Sequence, residues 1–290
     1  MTGFGYHRPE SLEAACLLMA QFGRRARLMA GGTALTILLK EGLLDADQIV
    51  GLERVPLGSV SWAGGVLTAG AMVTHQTLVD HPLVRAHVPG LAEVLSHVAS
   101  RRIRNVATIG GNLCWAEAAS DPPGPLMALG AHVTARSARG ERQVGLRDLF
   151  QDYFTTTLTP DEVLSEVHVP APPPGAGLSY LKFTPQSKAD KPVLAVTALV
   201  CRTDGVCAEA RVVVGAAGPT PFGLPAVDAA LRGEAFEASR AVWRVADAYA
   251  EAAQPVSDIR GSETYKRRMI RVLVRRALGQ AWARAGGARA

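Results

Sequence analysis

The sequence predicts an α+β fold, in which a small α/β unit and a larger mixed α/β unit precede a C-terminal α+β domain with a three-stranded sheet and helices. Three observations support this prediction. Helix and strand patterns are mixed through residues 1–170, a stretch rich in proline and glycine covers 171–177, and three strand-like runs followed by helical segments fill 178–290. The first stretch divides again after residue 54, where hairpin patterns begin.

Residues 1–54 form the first predicted unit. Pro9 and Ser11 are typical of a helix start, and Gly23 is typical of a helix end. An apolar strand then leads into Gly31-Gly32-Thr33, a turn just before another helix. The predicted elements are a helix over 9–23, a strand over 28–30, a helix over 34–40 and a strand over 49–52.

Residues 55–170 form the second predicted unit. A hairpin is expected around Ala63-Gly64-Gly65. The helix over 87–100 is expected to run straight into the basic sequence Arg101-Arg102-Ile103-Arg104. The other predicted elements are strands over 60–62, 66–70, 131–135, 142–144 and 163–169, helices over 74–79 and 119–130, a turn over 108–112 and a short element over 146–150.

The stretch 171–177 is predicted to be a stiff linker, because it contains three consecutive prolines between small residues. The C-terminal domain then begins at residue 178. Its predicted elements are strands over 179–183, 194–203 and 209–216 and helices over 226–233, 238–252 and 262–285.

Composition excludes several classes of protein. At 290 residues the chain is long enough for two or three domains, and its 48% hydrophobic and 20% charged residues are typical of a globular protein. No run approaches the ~18 apolar residues of a membrane span. The N-terminus lacks a basic start and carries Glu13 within its apolar part, which is not typical of a signal peptide. We therefore expect a cytoplasmic protein.

The net charge of +5 is unevenly placed, since residues 260–290 carry nine Lys or Arg and one acidic residue. Basic residues such as Arg268 alternate there with apolar ones such as Ile270 at helical spacing. Aromatic residues do not interleave with them, so nucleic-acid binding is not expected. The pattern predicts an amphipathic helix whose basic side faces solvent or a partner.

No metal site or catalytic nucleophile is predicted. The four cysteines (16, 114, 201 and 207) lack paired C-x-x-C spacing, and buried free thiols are the better interpretation. The histidines lie apart, and no serine occupies a G-x-S-x-G sequence.

Two glycine turns are the strongest functional signal. Gly31-Gly32-Thr33 and Thr108-Ile109-Gly110-Gly111-Asn112 each follow an apolar run. A turn of this kind exposes N–H groups that attract an anion, and two of them can clasp the two phosphates of one dinucleotide. Neither turn fits the G-x-G-x-x-G or phosphate-loop pattern.

Two charged residues have two interpretations each. Asp121 precedes Pro122-Pro123, so its carboxylate can accept hydrogen bonds from ribose hydroxyls or serve as a helix N-cap. From the residues alone Lys182 is a solvated strand lysine, and its second interpretation, a place beside a ligand, is implied only by a family resemblance.

The sequences AGGT (30–33), ATIGGNL (107–113) and ASDPP (119–123) resemble those of the FAD-binding subunits of molybdenum hydroxylases. This family includes the medium subunit of carbon monoxide dehydrogenase and the flavin domain of xanthine dehydrogenase. The resemblance covers nearly the whole chain and implies that the two N-terminal units together form an FAD-binding domain.

The resemblance also implies the cofactor-binding residues. The two turns would bind the FAD pyrophosphate, Asp121 the adenosine moiety, and Val98, Leu164 and Lys182 the flavin ring or its surroundings. The residues implied are Arg27, Leu28, Met29, Ala30, Gly31, Gly32, Thr33, Ala34, Val98, Thr108, Ile109, Gly110, Gly111, Asn112, Asp121, Leu164 and Lys182. The chain departs from the family pattern at Trp115, at Glu117-Ala118 and at Gln186-Ser187, where FAD or partner contacts would differ.

The function implied is an electron-transfer subunit. A large molybdenum-cofactor subunit would oxidise the substrate, and a small subunit with two-iron two-sulfur clusters would relay electrons to this chain's FAD, in a dimer of heterotrimers. A free-standing FAD oxidase or dehydrogenase is one alternative, but no acid–base pair for it is visible. An FAD-less assembly or scaffold protein is another, supported only by Trp115 and Glu117.

Overall fold

The computed structural model describes residues 3–44, 46–236 and 239–286. Its first sheet is parallel, with strand order β1-β3-β2, and the carboxyl end of β2 leads directly to Gly31. Strand β1 was not predicted. The elements are β1 (Gly5–His7), α1 (Leu12–Phe22), a 3₁₀ helix (Gly23–Arg25), β2 (Ala26–Met29), α2 (Leu35–Lys40) and β3 (Gln48–Gly51).

The second sheet is antiparallel, with strand order β4-β5-β10-β6-β7, and a two-stranded sheet of β8 and β9 lies outside it. The predicted hairpin is confirmed as β4 and β5. The elements are β4 (Val60–Ala63), β5 (Val66–Gly70), α3 (His75–Asp80), α4 (Pro82–His87), α5 (Pro89–Ser96), α6 (Arg101–Arg104), α7 (Ile109–Trp115), α8 (Pro123–Ala128), β6 (His132–Ser137), β7 (Gly140–Gly145), α9 (Leu146–Leu149), β8 (Phe150–Asp152), β9 (Thr155–Thr156) and β10 (Val163–Pro170).

The third sheet is antiparallel, with strand order β11-β12-β13, and confirms the predicted three-stranded sheet. The elements are β11 (Ala176–Phe183), β12 (Leu194–Thr203), β13 (Val206–Gly215), α10 (Pro225–Asp228), a 3₁₀ helix (Ala229–Leu231), α11 (Arg240–Ala252) and α12 (Glu263–Arg284). The predicted start of a helix at 238 lies outside the described residues, and α11 is described from Arg240.

Three sequence predictions about element boundaries are wrong. The helix expected over 87–100 is interrupted, because Ala99 has a φ of +40° and Ser100 caps a new helix, α6. The expected turn over 108–112 is the start of α7, which Thr108 caps. The expected linker over 171–177 is shorter, because β11 begins at Ala176.

The described residues contain two hydrophobic cores. One fills the space between α1, the second sheet and α3 to α9, and also receives Leu199 and Val213 from the third sheet. The other lies between the third sheet, α11 and α12, around the fully buried Tyr249. The shared residues show that the third sheet packs directly on the N-terminal half of the chain.

Several classes of site are absent from the described ranges. None of their helices is long and apolar enough to cross a membrane, and no group of three His, Cys, Asp or Glu is placed to hold a metal ion. All four cysteines are free thiols, but the expectation that they are buried is wrong for Cys114, which is exposed on α7 while Cys16, Cys201 and Cys207 are buried.

Candidate functional site

The segments that carry the two Gly-Gly sequences lie directly against each other. A Cβ atom added to Gly31 would lie 2.0 Å from the carbonyl oxygen of Val106, and one added to Gly111 would lie 3.3 Å from the Cβ of Ala30. Gly31 is therefore required by the close approach of two protein segments. The two turns form one continuous surface.

The second turn uses its amides within the protein. The Gly110 N–H donates to the carbonyl of Ala71 at 3.0 Å, and the Gly111 N–H donates to the Thr108 hydroxyl at 3.1 Å. We expected free N–H groups here. The difference arises because α7 begins inside the motif and its first amides are capped.

The first turn keeps its amides free. In the part of the chain that the structure describes, the N–H groups of Gly31, Gly32 and Thr33 have no hydrogen-bond acceptor. Gly32 has a φ of +67°, a left-handed conformation that favours glycine. Adjacent free amides in a turn attract an anion, so this turn is the candidate phosphate site.

A cavity of about 670 Å³ opens in front of both turns. Its volume lies within the range of small-molecule sites. The predicted residues that line it are Arg27, Leu28, Met29, Ala30, Gly31, Gly32, Thr33, Ala34, Thr108, Gly110, Gly111, Asn112 and Leu164.

Most of the apolar wall was missed from the sequence. Leu35, Leu38 and Leu44 line the cavity beyond the first turn, although their pattern predicts only an amphipathic helix and a loop. Trp115, the last residue of α7, and Phe154 also line it. No local pattern marks Phe154, because tertiary contacts bring its loop beside α7.

The charge of the cavity wall is low. Among the described residues that line it, Arg27 is the only charged one, and its guanidinium donates to the carbonyl oxygens of Arg24 and Ala26. Cys114 is the only other titratable side chain among these described residues, and it is exposed at the cavity. The described part of the lining therefore offers neither a carboxylate nor an imidazole for acid–base catalysis.

Asp121 and Lys182 lie together, away from the cavity lining. The Lys182 Nζ is 3.0 Å from Asp121 Oδ2, and both side chains are less than a tenth exposed. The hydroxyl of Tyr180 donates to Asp121 Oδ1. Alternate residues of a strand share a face, so β11 presents Tyr180 and Lys182 to the same carboxylate.

The contacts among Asp121, Tyr180 and Lys182 exclude a helix cap for Asp121 and a solvated strand position for Lys182. Asp121 is not a helix cap, because α8 has Pro122 at its N-cap and no side-chain cap bond. Lys182 is not solvated, since its ammonium also donates to the carbonyl of His97 at 3.0 Å. Burial raises the pKa of Asp121, although Lys182 and Tyr180 oppose that shift. Burial, together with the Asp121 carboxylate, raises the pKa of Tyr180 well above its ordinary value.

One hydrogen bond links this cluster to the cavity wall. The hydroxyl of Ser120, the neighbour of Asp121 in the chain, donates to the side-chain oxygen of Asn112 at 2.8 Å. Val98, the neighbour of His97, and Ile109, the first residue of α7, are buried. Val98, Ile109, Asp121 and Lys182 therefore do not line the cavity.

Comparisons with known proteins match both halves of the chain. Residues 2–172 match the family model described as the FAD binding domain in molybdopterin dehydrogenase, and residues 179–281 match the CO dehydrogenase flavoprotein C-terminal domain. The carbon monoxide dehydrogenase medium chain of Hydrogenophaga pseudoflava is 32% identical over 97% of this chain and 98% of its own.

Another relative and a solved structure are similar to this chain over nearly its full length. The nicotine 6-hydroxylase medium subunit of Paenarthrobacter nicotinovorans is 32% identical over 96% of this chain and 97% of its own. A solved structure of the carbon monoxide dehydrogenase from Hydrogenophaga pseudoflava superposes with a TM-score of 0.94, at 32% identity, and covers 98% of both chains.

The fold and the cavity define a two-part dinucleotide-binding domain joined to a small α+β domain. The chain belongs to the family of FAD-binding subunits of molybdopterin dehydrogenases. The predictions of an FAD cofactor and of an FAD-containing oxidoreductase subunit are confirmed at this level.

Proposed function

We propose that this chain holds FAD in the cavity in front of its glycine turns and passes electrons from a partner subunit's iron–sulfur clusters to an external acceptor. The observation that carries this proposal is the set of free amides at Gly31, Gly32 and Thr33 beside an otherwise apolar cavity. Amides suit phosphates and an apolar wall suits aromatic rings, so both kinds of FAD group find a matching surface.

FAD supplies the redox chemistry when bound, and the protein binds, orients and tunes it. Gly31, Gly32 and Thr33 hold the phosphates. Leu164 contributes an apolar contact on the opposite wall. Lys182 does not line the cavity, and the Asp121 carboxylate 3.0 Å away compensates its positive charge, so the two form a buried polar pair that Ser120 connects to Asn112.

The substrate is oxidised in another chain. Of the residues that line the cavity and are described, none is a carboxylate or a histidine, so a free-standing oxidase lacks its acid–base group. The FAD-less scaffold also finds no support, because Trp115 lines the cavity and leaves its volume open. We propose a large molybdenum-cofactor subunit and a small iron–sulfur subunit as partners, in a dimer of heterotrimers in the cytoplasm.

The basic helix α12 is a candidate contact surface for those partners, but some of its arginines are already paired within the chain. Arg267 and Arg271 are engaged within the chain, with Glu263 and Asp247 respectively. Arg268 is exposed and has no ion-pair partner in the described part of the chain. Arg276 is exposed and unpaired in the same way, so we propose that Arg268 and Arg276, and not the whole basic side, are available to a partner subunit.

Reconstitution of the purified chain with FAD tests the proposal. We expect saturable binding of FAD, measured by flavin fluorescence, and no turnover of carbon monoxide, purines, N-heterocycles or aldehydes by the isolated chain. Co-expression with its neighbouring large and small subunits should restore electron flow to the flavin. Turnover by the chain alone would support the oxidase, and no FAD binding by a folded chain would support the scaffold.

A further inference from the structure

Two aromatic rings form one wall of the cavity. The rings of Trp115 and Phe154 lie 5.1 Å apart between centroids, at an interplanar angle of 58°. Both line the cavity, and Phe154 is 52% exposed. A large apolar ring that is half exposed gains little from burial, so packing alone does not explain its position.

The backbone that holds Phe154 in place is strained. Phe154 has a φ of +53°, which is unusual for a bulky residue, and its N–H donates to the carbonyl of Ala116 at 3.1 Å. Ala116 ends α7 with a φ of +49°. Two left-handed non-glycine residues are therefore joined by one hydrogen bond beside the cavity. Strain of this kind is concentrated at ligand-binding sites.

The aromatic wall and the glycine turns are separated by a short distance. Trp115 lies four residues after Gly111 in α7, about 6 Å along the helix axis at ~1.5 Å per residue. Because Gly111 also lies against Ala30, next to the first turn, a ring at the wall is within reach, through a sugar, of a phosphate at Gly31 to Thr33.

The surroundings of the wall are apolar. Cys114 lies beside it, and a thiol carries no charge at neutral pH. The charged groups lie elsewhere, where the Asp121–Lys182 pair approaches the cavity through Ser120 and Asn112. The ion pair offers polar groups, whereas the aromatic wall offers an apolar face that suits a ring bound by stacking.

We propose that Trp115 and Phe154 form a stacking platform for the adenine base of the bound dinucleotide. The proposal rests on the proposed FAD site and deepens it. It makes the cavity selective for a nucleobase-containing flavin over the mononucleotide, and it gives Trp115, a departure from the family pattern, a direct role in binding.

Separate probes for the two halves of FAD test this role. ADP carries the adenine, FMN carries the flavin, and FAD carries both. Titration calorimetry measures ADP, and flavin fluorescence measures FMN and FAD. For Trp115→Leu and for Phe154→Gly we expect the affinities for FAD and ADP to fall together, by roughly 5- to 150-fold for the loss of one stacking contact. The affinity for FMN should not change.

Phe154→Gly also relieves the left-handed strain, so the apo protein should keep its thermal stability while losing affinity. Tyr153→Leu is the matched control, because Tyr153 is a 47% exposed neighbour that does not line the cavity. It should leave all three affinities unchanged.

Three results would overturn the platform. One is unchanged ADP affinity in both aromatic variants, and another is a loss of FMN affinity with ADP binding retained, which would place the flavin at this wall. The third is a wild-type chain that binds FAD but not ADP. A folded wild-type chain that binds none of the three would instead refute the FAD site itself.

Discussion

The Asp121–Lys182 pair offers a quantitative test of the structure, through the variant Lys182→Met. The two side chains are 7% and 6% exposed, and their charged atoms are 3.0 Å apart. Removing one partner of a buried ion pair leaves an uncompensated charge, which costs about 3–5 kcal/mol of unfolding free energy. Methionine keeps much of the length of lysine, so the loss of unfolding free energy comes mainly from the removed charge and less from changed packing.

The effect should depend on pH. Burial raises the pKa of Asp121, and Lys182 lowers it in part. The variant lacks the lysine, so the pKa of Asp121 should rise further. A carboxyl whose folded pKa lies above its unfolded value of ~3.9 binds more protons in the folded state, so stability falls as pH rises through that window. The destabilisation by Lys182→Met should therefore be larger at pH 8 than at pH 5.

Urea unfolding of the apo protein measures this effect, with two controls. Lys191→Met breaks the exposed pair with Glu117, where Lys191 is 65% exposed, and should cost only ~0.2–1 kcal/mol. The double variant Lys182→Met with Asp121→Asn removes both charges and should recover part of the loss. A loss below about 1 kcal/mol at pH 8, or a double variant no more stable than the single one, would refute the reasoning.

Two further predictions concern His75 and Gly31. His75 is fully buried, its ring nitrogens have no hydrogen-bond partner, and burial lowers its pKa to about 4. Below pH ~6.5 the histidine is protonated in the unfolded chain but not in the folded one, so the free energy of unfolding should fall by about 3 kcal/mol by pH 4. In the His75→Leu variant the free energy of unfolding should depend less on pH over this range. Gly31→Ala places a Cβ 2.0 Å from the Val106 oxygen, so we expect lower stability and loss of FAD binding. Gly58→Ala, with open space around its added Cβ, should change neither, and normal FAD affinity in Gly31→Ala would contradict the contact between the turns.

Much of the architecture could be predicted from local sequence patterns. Ser11 and Gly23 bound α1 as expected, since helix caps are local hydrogen-bonding features. The Gly64-Gly65 hairpin and the three C-terminal strands were predicted because turn residues and period-two patterns act over short distances. The division of the helix before Arg101 was not predicted, since the left-handed conformation of Ala99 leaves no mark in the residue type.

The sequence by itself determined the family, through the motifs at 30–33 and 107–113, and it determined which segments would carry the paired glycines. Only the tertiary structure decided how those turns are used. It brought Gly31 against Val106, left the first turn's amides free and consumed those of the second in α7. It also paired Asp121 with Lys182 across 61 positions. The physical reason is that free amides, burial and ion pairing depend on distances between segments remote in the chain, which no local pattern encodes.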